Sequence, residues 1–243
     1  MKKDEFKCLK YVIGAFYQLG NATIVFSNTD ENNLIKQLKS AIPNTNPSEF
    51  PDFLSEDVLL EHFSITASKE NRKGSSFKVK ESIVNNKIQN ETNKFQETVE
   101  KLPITSNVVR VKNIKNIYTD FSYDNFLKSL NKNLAQHIES LKKYNNNDRK
   151  VIFLIELQDA PLHICRNGIF LRFYELNRDK NALEILKVYI DLIDIVIFRA
   201  SDRIEMIDIS KFDSLYENSA IEKDIRGGRL ITINSLINID MFN

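Results

Sequence analysis

The chain has 243 residues, of which 42% are hydrophobic and 28% charged, an ordinary balance for a folded domain that excludes disorder along its whole length. Its 34 Lys and Arg against 33 Asp and Glu leave a net charge of +1, so a general basic coat is excluded and any nucleic-acid site must come from local clustering. The two cysteines, Cys8 and Cys165, make no disulfide or zinc framework and read as small buried thiols.

The start, Met1-Lys2-Lys3-Asp4-Glu5, lacks the apolar stretch of a signal peptide. Residues 4–19 then place Phe6, Leu9, Ile13, Phe16 and Tyr17 on one helical face, ended by Gly20-Asn21. Ala22 to Ser27 is a short β-branched run that reads as a strand. Asp30 can cap a helix from about Glu31 to Ile42, with Leu34, Ile35, Leu38 and Ile42 inward. Three prolines and two asparagines between Pro43 and Pro51 predict a loop. Val58 to Thr66 follows as a strand with apolar residues on both faces, the pattern of a central strand.

Beyond it the chain becomes basic and polar, with Lys69, Arg72, Lys73, Lys78 and Lys80 around Gly74, before a polar helix to about Lys101. Val108 to Tyr118 is a candidate edge strand, and Tyr123 to Tyr144 a helix with Phe126, Leu127, Leu130, Leu134, Ile138 and Leu141 at core spacing. Val151 to Leu157 is a buried strand. A helix from about Asp179 to Leu192, strands at 195–199 and 203–209, and a final strand-like run at 230–233 complete the reading. The most apolar run, Val188 to Phe198, is interrupted by Asp191 and Asp194 and is too short for a bilayer. A soluble, cytoplasmic protein with no membrane partner is expected. Helices alternating with buried strands indicate an α/β or α+β fold around one mixed sheet. The expected organisation is one domain over 1–243, with a helical insertion at about 78–145.

The chemistry-bearing feature is Pro51-Asp52-Phe53 followed by Glu61-His62-Phe63, with Asp52 and Glu61 nine positions apart. A short hairpin can bring two such carboxylates together, and two acidic oxygens at a sheet edge suit a hard cation, Mg2+ or Mn2+. Glu61 is the more telling, because an unpartnered carboxylate inside the apolar run Leu59-Leu60-Glu61-His62-Phe63 would be costly. His62 points to the opposite face of a regular strand and reads as a packing or hydrogen-bonding residue.

These residues resemble the PD-(D/E)xK nuclease superfamily. "PDF…LLEHFSI" is similar to the variant in nuclease-like domains attached to some superfamily-one DNA helicases, and a first helix carrying Glu5, a short strand, then PDF and the acidic strand follow the same order. The resemblance covers about residues 4–85. It implies a restriction-endonuclease-like mixed central sheet flanked by helices, a metal held by Asp52 and Glu61, hydrolysis of DNA phosphodiester bonds, and a place in restriction or anti-phage defence. Glu5 would orient a ligand or add a metal contact through water. The chain departs from the pattern at Phe63, where the family has a lysine; Lys73, or failing it Lys80, is the candidate replacement. Lys69, Arg72, Lys73 and Lys78 would contact a nucleic-acid backbone. DNA is the expected partner, RNA remains open, and a homodimer would supply two sites for two strands. The competing expectation is a noncatalytic nucleic-acid-binding or regulatory protein that keeps the nuclease fold.

Other groups read as structural. Glu156-x-Gln158 offers a weaker acidic motif, 95 residues beyond Glu61, and Glu156 is also a candidate border of the same site. His137 is expected to pack on an amphipathic helix. His163 and Cys165 lack further ligands at zinc spacing, and Asp191, Asp194, Asp202 and Asp208 read as caps and turn residues.

Overall fold

A computed structural model describes residues 3–17, 23–25, 31–46, 49–67, 75–101, 107–118, 122–144, 148–158, 162–200 and 203–239. The order of elements begins with α1 (Lys3–Tyr17), β1 (Thr23–Val25), α2 (Glu31–Ser40), β2 (Ile42–Pro43), β3 (Phe53–Leu54) and β4 (Val58–Ile65). It continues through α3 (Ser75–Glu100), β5 (Asn107–Tyr118), α4 (Tyr123–Lys142), β6 (Lys150–Leu157), β7 (Leu162–Arg166) and β8 (Ile169–Phe173). It ends with α5 (Lys180–Lys187), β9 (Ile195–Arg199), β10 (Arg203–Asp208), α6 (Phe212–Glu217) and β11 (Ile225–Ile239).

A seven-stranded mixed sheet runs β1-β10-β9-β6-β4-β3-β2. Its centre, β4-β6-β9, is parallel, and β2-β3-β4 form an antiparallel meander on one side. The parallel strands are buried on both faces, as parallel strands covered by helices require. Cys8, Leu9 and Val12 of α1 and Leu34, Ile35 and Leu38 of α2 pack on one face, against Leu60, Leu154 and Ile197. Phe126, Leu130, Leu134 and Ile138 of α4, with Leu183 of α5, cover the other face over Leu59, Phe63 and Phe153. The architecture is mixed α+β, as the alternating pattern predicts. A smaller sheet, β5-β11-β7-β8, stands beside it.

Several boundaries differ from the sequence expectation. The buried ridge of α1 is Glu5, Cys8, Leu9 and Val12, while Phe6 and Ile13 are only partly buried. The side chains of Phe16 and Tyr17, and the Asp30 cap, lie outside the described residues. Helix α2 stops at Ser40, and Ile42 is exposed on the short strand β2, instead of facing the core. Within 78–145, β5 lies between α3 and α4, and α4 packs in the main core. Strand β5 is an edge, as its charges suggest, but β11 extends far beyond 230–233 to pair with it from Gly228↔Tyr118 to Ile239↔Asn107. The β7–β8 hairpin is absent from the sequence expectation. It turns at Asn167-Gly168, both at positive φ (53° and 78°), the backbone that a two-residue hairpin needs. Among the described residues, no helix is long and apolar enough to cross a membrane.

Candidate metal centre

The short β3–β4 turn brings Asp52 and Glu61 together through two reciprocal bonds. The Asp52 N–H donates to Glu61 Oε2 at 3.0 Å, and the His62 N–H donates to Asp52 Oδ2 at 2.8 Å. Each acid therefore satisfies a backbone donor beside the other acid, which fixes Pro51-Asp52 against β4. Successive side chains of a strand point to opposite faces, and here that separates Glu61 from His62. Glu61 goes to the α4 side, where its Oε1 lies 2.5 Å from His137 Nδ1. The His137 ring stacks on Phe63 with centroids 4.6 Å apart. Glu61 is buried, and its two oxygens meet the Asp52 N–H and the His137 ring.

On the α1 side, polar residues cross the sheet on neighbouring strands. His62 lies on β4, Glu156 on β6 and Arg199 on β9; Ser64 pairs with Glu156, and Glu156 with Arg199. His62 Nε2 is 3.2 Å from Glu156 Oε2, and Arg199 pairs with Glu156 Oε1. The Arg199 guanidinium lies over the Tyr11 ring of α1, 4.4 Å from its centroid. Helix α1 places Glu5 and Cys8 three positions apart on its sheet-facing side, where both are buried. The polar groups stand toward the carboxyl ends of β4, β6 and β9, where ligands of open α/β sheets bind.

Burial works against a charge on the His62 imidazole. Hydrogen bonds to Cys8 and Glu156, and the attraction of both groups, outweigh it and raise His62 from 6.5 to about 9. His62 is thus held as a cation by its neighbours when no metal is present.

Among the described residues, two sets of side chains bring one ligand atom each within 4.8 Å of one another: Glu5, Asp52 and His62, and Cys8, His62 and Glu156. Two carboxylates and an imidazole, from α1, the residue before β3, and β4, are a fitting donor set for a divalent cation. Glu61 belongs to neither set. Of the residues singled out in the sequence, the structure thus brings Glu5 to Asp52, and hydrogen-bonds Glu61 to the Asp52 backbone from the other face of β4. It adds His62, Cys8, Glu156 and His137, which the sequence reading treated as packing, capping or bordering residues. Lys69, Arg72 and Lys73 lie outside the described residues, and Lys78 and Lys80 are on the first turns of α3.

Other polar groups hold the fold together. Asp179 accepts hydrogen bonds from the Tyr123 and Tyr174 hydroxyls, both at 2.6 Å, and caps α5. Asp194 accepts from the Val151 N–H at 2.7 Å, and Asp208 from the Ser210 N–H at 3.0 Å. Glu205 accepts from the N–H groups of Leu176 and Asn177, while burial raises its carboxyl to about 7. Asp202 lies outside the described residues. Comparisons of the chain with protein-family models, curated proteins and solved structures gave no match.

Proposed function

We propose that the protein is a divalent-metal-dependent nuclease that hydrolyses DNA phosphodiester bonds, with Glu5, Asp52 and His62 holding the ion. The observation that carries this reading is the convergence of those three ligand atoms within 4.8 Å. The resemblance of Pro51-Asp52-Phe53 and Glu61-His62-Phe63 to the PD-(D/E)xK pattern supplies the reaction class. An imidazole in the set favours Mn2+ over Mg2+. A bound cation supplies a Lewis acid that lowers the pKa of water and offsets phosphoryl charge.

The protein's own residues prepare that chemistry. The His62 N–H on Oδ2 fixes the Asp52 carboxylate, and Glu61 holds the Asp52 backbone in turn. Glu61 is therefore a positioning residue, anchored from behind by His137. Lys73 or Lys80 would stabilise the phosphoryl charge, as the resemblance implies, and the clustered cations Lys69, Arg72 and Lys78 would meet the nucleic-acid backbone. Restriction or anti-phage defence follows from the same resemblance, and two strands to cut favour a dimer.

The test is cleavage of plasmid and single-stranded DNA with Mn2+, comparing wild type with Asp52→Ala and Glu5→Gln. Nicking by wild type that is lost in Asp52→Ala and reduced in Glu5→Gln is the expected result. One observation favours a second reading, a nucleic-acid-binding protein without catalysis: Phe63 occupies the family's lysine position and stacks on His137. Folded protein that binds Mn2+ and DNA but cuts no DNA or RNA substrate would overturn the nuclease reading in favour of that one.

A further inference from the structure

The nuclease reading leaves Cys8 and Glu156 without a task. Cys8 is only 1% exposed and His62 7%, yet both belong to a polar cluster. Cys8 Sγ, a His62 ring nitrogen and a Glu156 oxygen come within 4.8 Å of one another from three separate elements, α1, β4 and β6. The Glu156 carboxylate is pre-oriented: Arg199 takes Oε1, and Oε2 faces His62 at 3.2 Å. Arg199 is itself held over Tyr11. Outer partners of this kind orient ligand carboxylates in metal sites.

The donor chemistry differs from that of the neighbouring set by one atom type. Thiolate, imidazole and carboxylate are the usual ligands of Zn2+, and three of them leave a fourth tetrahedral position open. Sulfur selects against Mg2+ and Ca2+, which take oxygen. We infer that Cys8, His62 and Glu156 form a second metal site, selective for a thiophilic divalent ion of the zinc class. On binding, the Cys8 thiol and the protonated His62 imidazole each lose a proton to solvent as the sulfur–metal and nitrogen–metal bonds form, with no change of oxidation state. Because His62 belongs to both sets, zinc held through Cys8 draws that imidazole away from Glu5 and Asp52. This competition rests on the nuclease reading, whereas the zinc-class site does not.

The test is a titration of the full chain, freed of metal, with Co2+ as a spectroscopic stand-in for Zn2+. The expected result is a sulfur-to-cobalt charge-transfer band in the near ultraviolet and intense visible bands of tetrahedral cobalt, all displaced by Zn2+. Cys8→Ser abolishes the charge-transfer band, Cys165→Ser and Asp52→Ala keep it, and Glu156→Gln weakens Zn2+ binding by about 10-fold or more. A wild type without the band, a band that survives Cys8→Ser, or an unchanged Zn2+ affinity in Glu156→Gln overturns the proposal. The Glu156→Gln measurement decides the matter if Cys8→Ser fails to fold. Failure of DNA cleavage with an intact cobalt band removes the nuclease and leaves the site. Cleavage without the band does the reverse.

Discussion

The two faces of β4 treat neighbouring polar residues in opposite ways. On the α4 face, Glu61 meets one backbone donor and one stacked imidazole, and the cluster closes on itself. On the α1 face, His62 stands among Cys8, Glu156, Asp52 and Glu5, more ligand atoms than one imidazole can engage at once. A closed network rigidifies, because each buried group has its partner. An over-supplied one keeps several ligand atoms within reach of one another, the arrangement expected of a site for a cation. One strand therefore carries its scaffold on one side and its chemistry on the other.

That contrast can be broken by mutation. The largest effect on stability is expected from Glu61→Ala, which strips a partner from the half-buried Asp52 N–H and from His137. A loss of about 3 kcal/mol is expected in urea unfolding. A loss below about 1 kcal/mol would mean that the bracket between β3 and β4 does not hold the site. Glu61→Gln keeps an oxygen for the Asp52 N–H and should recover most of that loss.

The open face is expected to show itself in pH dependence. His62 is raised in the folded protein, so its contribution to stability is full below the ordinary pKa of 6.5 and is lost as pH rises through about 9. For metal-free protein, the stability difference between wild type and His62→Gln should shrink over that window by about 3 kcal/mol. Glu205, raised to about 7, produces a decline of the same sign as pH rises through that value, and subtracting the His62→Gln curve cancels it. A difference that stays flat from pH 6 to pH 10 would show that Cys8 and Glu156 do not hold the imidazole as a cation.

Two smaller effects sharpen the comparison. His137→Ala is expected to cost about 1 kcal/mol, since Glu61 keeps the Asp52 N–H while losing its second partner. A cost equal to that of Glu61→Ala would assign the bracket to His137 instead. Cys8→Ser, without metal, should change stability by less than about 1 kcal/mol, because the hydroxyl can keep the hydrogen bond to His62. A much larger loss would mark Cys8 as a packing residue first.

What the sequence made legible follows from distance along the chain. Asp52 and Glu61 are close in sequence and joined by a short turn, so their approach could be anticipated from local pattern alone. The partnership of His62 with Glu156 depends on the parallel register of β4 and β6, which no local periodicity encodes. Cys8 was hidden differently: a thiol within a helical apolar pattern looks like core, and it is indeed buried. His137 sits on a helix whose amphipathic spacing explains it adequately until Glu61 is seen beneath it. The β7–β8 hairpin carried a local signal in Asn167-Gly168, whereas the length of β11 is set by its pairing with β5.

The polar row has one more consequence, for synthesis. Its members come from α1, the first described helix, and then from β4, β6 and β9, the last of them ending at Arg199. A chain still emerging from the ribosome holds Glu5, Cys8, Asp52 and His62 long before Glu156 and Arg199 exist. Domains fold largely as units, and contacts between distant segments form late. The complete cluster therefore assembles only when most of the protein has been made, so a prematurely terminated chain would carry Cys8 and His62 without the carboxylate and guanidinium that complete their surroundings.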